Sequence, residues 1–181
     1  THAFFKALLF LGSGSVIHSF KNEQNINQMG AVYRKLPYTY ILMIIGTLAL
    51  TGFPFLSGFY SKDAIIEFAY LRGNTTGYYA AVIGIFTAFL TSIYSWRLIF
   101  KTFHGSYNNT KLKIEEMHDS PIVMLLPLII LSVGAVFSGF LFKDLFIAHT
   151  DSSHFWGESI KFLNPLSTDH PPLWVIWATP S

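Results

Sequence analysis

Three long stretches of this sequence contain no charged residue, and they constrain the fold more than any other feature. They cover residues 36–61, 77–96 and 121–142. Each is at least as long as the ~20 mainly apolar residues that a helix needs to cross about 30 Å of hydrocarbon. The apolar residues run continuously, without the period-two alternation of a barrel wall. We therefore predict an all-α fold, a polytopic bundle of transmembrane helices.

Two further apolar segments lie at the ends of the chain. Residues 1–20 look like a helix that is cut at its N-terminal end, and residues 171–181 look like one that is cut at its C-terminal end. We expect a single membrane domain, 1–181, that forms part of a larger subunit. Its approximate spans are 1–20 (truncated), 37–71, 76–103, 120–143 and 171–181 (truncated).

The composition excludes several classes of protein. Charged residues make up only 12% of the 181 positions, against ~25% in typical soluble domains, so no soluble globular domain is expected. The net charge of +2 comes without a run of basic residues, which argues against nucleic-acid binding. Without cysteine, the chain can hold no disulfide and no thiolate-bound metal or cluster of its own. His149 and His154 lack a fixed metal-ligand spacing, so no metal site is predicted.

The second span contains a predicted break. Gly52, Pro54 and Gly58 lie near its middle. Pro54 removes a backbone N–H group and crowds the preceding turn. We therefore predict one discontinuous helix with its break near Thr51–Gly58, and a simple proline kink is the alternative. Interrupted helices mark the ion path in many transporters.

Two lysines lie far from the ends of their predicted helices. Lys6 precedes the end of its helix by roughly 18–21 Å and Lys62 by roughly 14 Å, so both are expected near the bilayer centre. An ionisable group there costs at least ~2.5 kcal/mol and usually faces a partner or a water-filled cavity. We interpret both lysines as reversible proton carriers. The alternatives are a snorkelling side chain and a buried structural ion pair.

Other ionisable residues lie beside these lysines. His2 precedes Lys6 by one helical turn, so the two proton-binding groups are expected on one face. Asp63 follows Lys62 directly and is expected to point about 100° round the helix, where it forms a separate acidic face with Glu67. The candidate site residues are therefore Lys6, Lys62, His2, Asp63 and Glu67.

The connections between the spans are short and polar. Asp119 is followed by Ser120 and Pro121, an order that predicts an N-cap and a first helical residue for the fourth span. Lys and Arg residues are concentrated in and around the first and third connections, 21–35 and 104–120. This bias places both connections on the cytoplasmic or matrix side. The face that carries them is called the basic face below.

Several motifs resemble those of one protein family. The strongest are residues 2–18, HAFFKALLFLGSGSVIH, and residues 52–63, GFPFLSGFYSKD. The strings NEQNI at 22–26, TAFLTSIYSWR at 87–97 and HDSP at 118–121 follow in the same order. Together they are similar to the chain 5 family of antiporter-like membrane subunits in respiratory complex I, the NADH:ubiquinone oxidoreductase. Chains of Mrp-type Na⁺/H⁺ antiporters share the neighbourhoods of Lys6 and Lys62.

The resemblance implies a role for each of the matching residues. Lys6 matches the central lysine of the family's C-terminal half-channel, and His2 matches the histidine one turn before it. Lys62 matches the lysine at the break of the discontinuous helix, which hands protons to the outer side, and Asp63 matches the acidic residue that follows. The resemblance also implies a C-terminal-half fragment, without the upstream half-channel and the long lateral helix.

The resemblance further implies a proton-translocating membrane-arm subunit, part of an enzyme but without redox chemistry of its own. NADH, FMN, iron–sulfur clusters and quinone would be bound by partner subunits, and no cofactor is expected in this chain. The expected partners are the other membrane-arm subunits, the lipid bilayer and protons. The expected location is multi-pass, in a bacterial plasma membrane or a mitochondrial inner membrane. The alternatives are an Mrp-type Na⁺/H⁺ antiporter chain and a non-pumping structural or assembly module.

Overall fold

The computed structural model describes residues 1–109 and 112–146, and these residues contain helices and connections but no β-strand. The predicted all-α fold is confirmed. The predicted last span, 171–181, and the pair His149 and His154 lie outside the described residues. The α-helices are α1 (His2–Ser19), α2 (Pro37–Thr51), α3 (Ser57–Leu71), α4 (Thr75–Ile99) and α5 (Ile122–Phe146), with short 3₁₀ turns at Ile26–Gln28 and Ile114–Glu116.

Two of the helices are suited to crossing a membrane. α4 continues through a π-helical turn to His104, and both Thr75–His104 and the Ile122–Lys143 part of α5 are long and apolar enough to do so. Large apolar side chains such as Phe86 and Phe137 are exposed along them. Soluble proteins rarely expose large contiguous apolar surfaces. The exposed apolar faces of α4 and α5 are therefore suited to contact with lipid or with further membrane helices.

The second span is interrupted where the sequence predicts the break. α2 ends at Thr51 because Gly52 takes the left-handed conformation, with φ at 86°, which a residue without Cβ adopts without steric cost. Pro54 has no N–H group to extend the helix, and α3 begins only at Ser57. α2 and α3 are therefore two half-helices where the sequence predicts one broken span.

The other helices surround this broken span. α2 contacts α1, α4 and α5, whereas α3 packs mainly on α4 and α5. The half-helices approach each other closely at Gly58, where an added Cβ would overlap the backbone oxygen of Ala49. Only glycine allows this approach. A buried apolar cluster joins α1, α2 and α5, and its residues are Phe5, Leu8, Leu42, Ala49, Leu125, Leu128 and Ala135.

The predicted N-cap of the fourth span is wrong. The carbonyl of Pro121 accepts hydrogen bonds from the amides of Met124 and Leu125, so Pro121 precedes α5 and is not its first residue. The Asp119 carboxylate is directed at the N-terminus of α2 instead. The physical reason is that α2 has no side-chain cap of its own, and its unpaired N–H groups attract an acceptor from another segment.

Candidate functional site

Lys62 is held at the break of the second span. Its Nζ atom donates a hydrogen bond to the carbonyl oxygen of Thr51, at 3.3 Å. Thr51 is the last residue of α2, so its carbonyl belongs to the group that a helix leaves unpaired at its C-terminus. A cation is favoured there because the helix macrodipole is negative at this end. The half-buried lysine thus has a polar partner that its own helix does not provide.

Two carboxylates share α3 with Lys62. Asp63 is half-buried and interacts electrostatically with the Lys62 ammonium group. Although neighbouring residues diverge by about 100° on a helix, the lysine stem is flexible and a Coulomb interaction acts over several ångströms. Glu67 is also half-buried, and within the described residues it forms no ion pair. Of the two predicted acidic residues, Asp63 is the one that acts on Lys62.

Lys6 lies at the edge of a cavity of about 230 Å³. The cavity lies between α1 and α4, and residues of α2 line it as well. Its polar lining residues come from all three helices and are Lys6, Ser13, Thr47, Tyr94 and Ser95. Its apolar lining residues are Leu9, Phe10, Met43, Leu50 and Leu98.

Ser95 gives this cavity an unsatisfied polar group. Its side chain is only 5% exposed, and its hydroxyl has no hydrogen-bond partner among the described residues. Buried polar groups almost always have a partner, and a water molecule fills that place where a polar cavity has room for it. The volume beside Ser95 is far larger than one water molecule needs. The cavity is therefore suited to water.

A second cavity, of about 130 Å³, extends the first toward the basic face. The two share Ser13, Met43 and Leu98 in their walls. The second also reaches Gln24, in the first connection, and Thr102, at the end of the α4 helix. The two cavities thus form a line from Lys6 to the basic face, with Met43 and Leu98 as the apolar residues between them.

The two lysines differ in burial within the part of the chain that the structure describes. Lys62 is half-buried, whereas Lys6 is exposed, although it also lines the cavity between α1 and α4. The described residues do not fully bury either lysine, so burial of both stays a prediction. His2 is exposed one turn before Lys6, and its ring packs edge-on against Phe5 with the centroids 5.2 Å apart. Among the described residues, no hydrogen bond joins His2 to Lys6.

Two contacts connect the surroundings of the lysines. Phe5, the residue before Lys6, lies beside Gly58 of α3, one turn before Lys62. Leu50 lines the cavity of Lys6 and directly precedes Thr51, the partner of Lys62. The site is therefore a continuous region around the break.

Sequence reasoning missed several of these groups. The Thr51 carbonyl is a backbone atom, so no residue type signals it, although the predicted break implied unpaired carbonyls nearby. Tyr94 and Ser95 occur in a charge-free stretch and in the motif at 87–97, neither of which predicts that they line a cavity. Their signal was the presence of hydroxyl groups in a predicted membrane helix, since polar side chains there usually face the bundle interior.

Comparison with known proteins identifies the family of the chain. Residues 1–91 match a family model described as NADH:quinone oxidoreductase/Mrp antiporter, transmembrane. The chain is 46% identical to NADH-ubiquinone oxidoreductase chain 5 of Chondrus crispus, over 97% of this chain and 28% of the relative. It is 48% identical to chain 5 of Marchantia polymorpha, over 90% and 24% respectively. It is 50% identical to chain 5 of Dictyostelium citrinum, over 81% and 22%.

These relatives are much longer proteins. The chain spans about a quarter of the length of the curated relatives that it matches. The region matched by the family model covers α1, the broken span and the first part of α4, and it therefore contains both lysines. The chain is an integral membrane protein that belongs to the NADH:quinone oxidoreductase/Mrp antiporter family.

Proposed function

We propose that this chain is part of a proton-translocating membrane-arm subunit of NADH:ubiquinone oxidoreductase, in which Lys62 and Lys6 carry protons. The observation that supports this most strongly is the hydrogen bond from Lys62 Nζ to the Thr51 carbonyl, at the break of a membrane helix. An amine in this position can be held as an ammonium ion by the helix end and by Asp63. When these partners move away, it can release its proton to water.

The other site residues have supporting roles in this proposal. Asp63 stabilises the charged form of Lys62, and Glu67, one turn further along α3, is an acceptor for the released proton. Lys6 exchanges protons with water in its cavity, and His2 is a second proton-binding group one turn away. Each step moves one proton between an amine, a carboxylate or an imidazole and a water molecule, so no electron transfer takes place in this chain.

The redox chemistry is assigned to partner subunits. In this proposal, NADH, FMN, the iron–sulfur clusters and quinone are bound by other parts of the enzyme, and the chain contacts other membrane-arm subunits. The relatives described above come from Chondrus crispus, Marchantia polymorpha and Dictyostelium citrinum. Their eukaryotic origin favours the mitochondrial inner membrane over a bacterial plasma membrane.

A second candidate function is Na⁺/H⁺ antiport of the Mrp type, because the matching family model also includes those antiporters. The names of the relatives, all chain 5 of the oxidoreductase, favour the first function. A Na⁺ requirement for proton movement would favour the antiporter.

A third candidate is a non-pumping structural module. It predicts that alanine at Lys6 or Lys62 changes the abundance of the enzyme but not the protons moved per electron.

Replacement of Lys6 tests the proposed function. In the assembled enzyme in proteoliposomes, Lys6→Ala is expected to slow proton translocation on the order of tenfold. That is less than the ~10²–10⁴ typical of a positioned proton-transfer group, because cavity water can replace part of the amine's role. Lys6→Arg should also be impaired, since a guanidinium group cannot release its proton. The measured quantity is protons moved per electron.

The control for Lys6 is Lys113→Ala, which removes an exposed lysine from the third connection. This variant should translocate protons like the unmodified enzyme. Normal translocation by both Lys6 variants would contradict a proton-carrying role for Lys6.

Substitution of Ser13 tests whether the cavities hold the water that Lys6 needs. Ser13 lines both cavities, and its hydroxyl donates only to the Leu9 carbonyl of its own helix, at 2.9 Å. Ser13→Leu would fill the space where the cavities meet, so proton translocation should fall several-fold, whereas Ser13→Ala should have little effect. Equal translocation by the two variants would exclude a water path at Ser13.

A further inference from the structure

The N-terminus of α2 is held by a carboxylate from a distant part of the chain. Asp119 accepts hydrogen bonds from the backbone amides of Tyr38, at 3.0 Å, and Thr39, at 3.1 Å. It also accepts one from the Thr39 hydroxyl, at 2.7 Å. The residue in the N-cap position of α2, Leu36, offers no side-chain bond. Asp119 therefore supplies the cap that the sequence of α2 lacks.

A buried group of hydroxyls fixes this cap to the rest of the bundle. The Thr39 and Ser15 hydroxyl oxygens are 3.0 Å apart, and Ser15 donates to the Ser120 hydroxyl at 2.7 Å. Ser120 in turn donates to the Ser15 carbonyl at 3.2 Å. All three side chains are buried. The start of α2 is thus attached to α1 and to the segment that leads into α5.

The opposite end of α2 carries the partner of Lys62. Thr51, its last residue, accepts the hydrogen bond from Lys62. The helix macrodipole is positive at the N-terminus and negative at the C-terminus. The negative charge of Asp119 at the N-terminus and the positive charge of Lys62 at the C-terminus are therefore both favoured by the dipole. No other helix in the described part of the chain has a charged side chain from another segment hydrogen-bonded to each end.

α2 can transmit a displacement from one end to the other. It is a single helix of 15 residues, about 22 Å long at 1.5 Å per residue, and its buried residues, which include Met43 and Ala49, pack along its length. Helical structure is interrupted between Thr51 and Ser57, so α2 can move as a unit because no continuous helix joins it to α3. A shift at Thr39 would therefore move the Thr51 carbonyl relative to Lys62.

We propose that Asp119 is a positioning residue for proton transfer at Lys62. It fixes α2 from the basic face, and α2 places the Thr51 carbonyl where Lys62 needs it. The inference rests on the proposed function, because it gives Asp119 a role only if Lys62 carries protons.

The test uses Asp119→Ala in the full-length subunit, in the assembled enzyme in proteoliposomes. We expect hydrogen exchange at the amides of residues 38 and 39 to become faster, and protons moved per electron to fall. Asp119→Asn keeps one acceptor oxygen, which can still bind the Thr39 groups, but it loses the acceptor for the Tyr38 amide, so it should restore only part of that ratio. A purely structural cap would lower the amount of assembled enzyme but leave the ratio unchanged, so an unchanged ratio in Asp119→Ala overturns the proposal.

Two further variants make the result specific. Glu116 is a carboxylate of the same connection, but it is exposed and pairs with the exposed Lys21 at 2.8 Å, so Glu116→Ala should leave the ratio unchanged. If Asp119→Ala does not assemble, Thr39→Val removes the hydroxyl bond to the same carboxylate and the contact with the Ser15 hydroxyl, but it keeps both backbone bonds to Asp119. That variant should lower the ratio by a smaller amount, and an unchanged ratio there would overturn the proposal.

Measurement of Lys62→Ala in the same system separates the two claims. If it lowers the ratio and Asp119→Ala does not, the positioning role fails while the proposed function stands. If neither variant lowers the ratio, the proposed function itself fails.

Discussion

Replacing Lys62 with alanine is expected to abolish most proton translocation by the assembled enzyme. Without the amine, no side chain at this position can bind the proton near the membrane centre. Placing an unbound charge there costs at least ~2.5 kcal/mol of free energy. Since each ~1.4 kcal/mol is a factor of ten in rate, proton movement through this site should fall at least about 50-fold. The measurement is protons moved per electron in proteoliposomes, with NADH oxidation followed in the same sample.

Two further variants give this prediction its specificity. Lys62→Arg keeps a positive charge that can bind the Thr51 carbonyl, but it cannot release a proton, so translocation should also be impaired. Lys35→Ala removes an exposed lysine from the first connection and should leave translocation unchanged. If the Lys62→Ala enzyme pumps normally, Lys62 is not a proton carrier.

Replacing Gly58 with alanine is expected to be the most damaging small substitution in the broken span. The added Cβ would overlap the Ala49 carbonyl oxygen, and a backbone atom cannot move aside as a flexible side chain can. Overpacking usually costs about 1–3 kcal/mol of stability. Because the overlap is with a backbone atom, we expect the destabilisation by Gly58→Ala to lie at or above the upper end of this range. Relief of the overlap would push α3 away from α2, and Lys62 away from Thr51.

Gly14→Ala is the matched control for Gly58→Ala. Gly14 is also a helical glycine, but no neighbouring atom of the described residues lies within 4 Å of the position that an added Cβ would take. Alanine there should be neutral or stabilising by up to ~1 kcal/mol, because it is a better helix former than glycine. The measurement is the amount of assembled enzyme and its thermal inactivation, and equal values for the two variants would contradict the close packing of α2 and α3.

Much of the fold could be predicted because its causes are local. The charge-free stretches and the sequence Gly52-Phe53-Pro54 determine where helices can run and where one must break. The interruption after Thr51 follows from these residues alone. The cap of α2 could not be predicted in this way, because Asp119 is distant in sequence from Thr39. Only the folded bundle brings the two together.

The candidate site was less predictable than the fold. Membrane depth alone identified Lys6 and Lys62, but it could not identify their partners. The partner of Lys62 is a backbone carbonyl that the break exposes, and the surroundings of Lys6 include hydroxyls from α2 and α4. Depth predicted the same level in the membrane for both lysines but not their burial: the described helices partly bury Lys62 and leave Lys6 exposed. Burial depends on which helices pack against each side chain, and a single helix does not encode that.

An experimental density map of the full-length subunit in its assembled enzyme, sharp enough to show ordered water, would test the proton-carrier account most directly. The account predicts both amine nitrogens inside the protein at the level of the membrane centre. Lys6 should touch a chain of water molecules that passes Ser95, and Lys62 should stay within hydrogen-bond reach of Thr51. A map with either nitrogen against lipid tails or in bulk solvent, with no water or carboxylate beside it, would contradict the account.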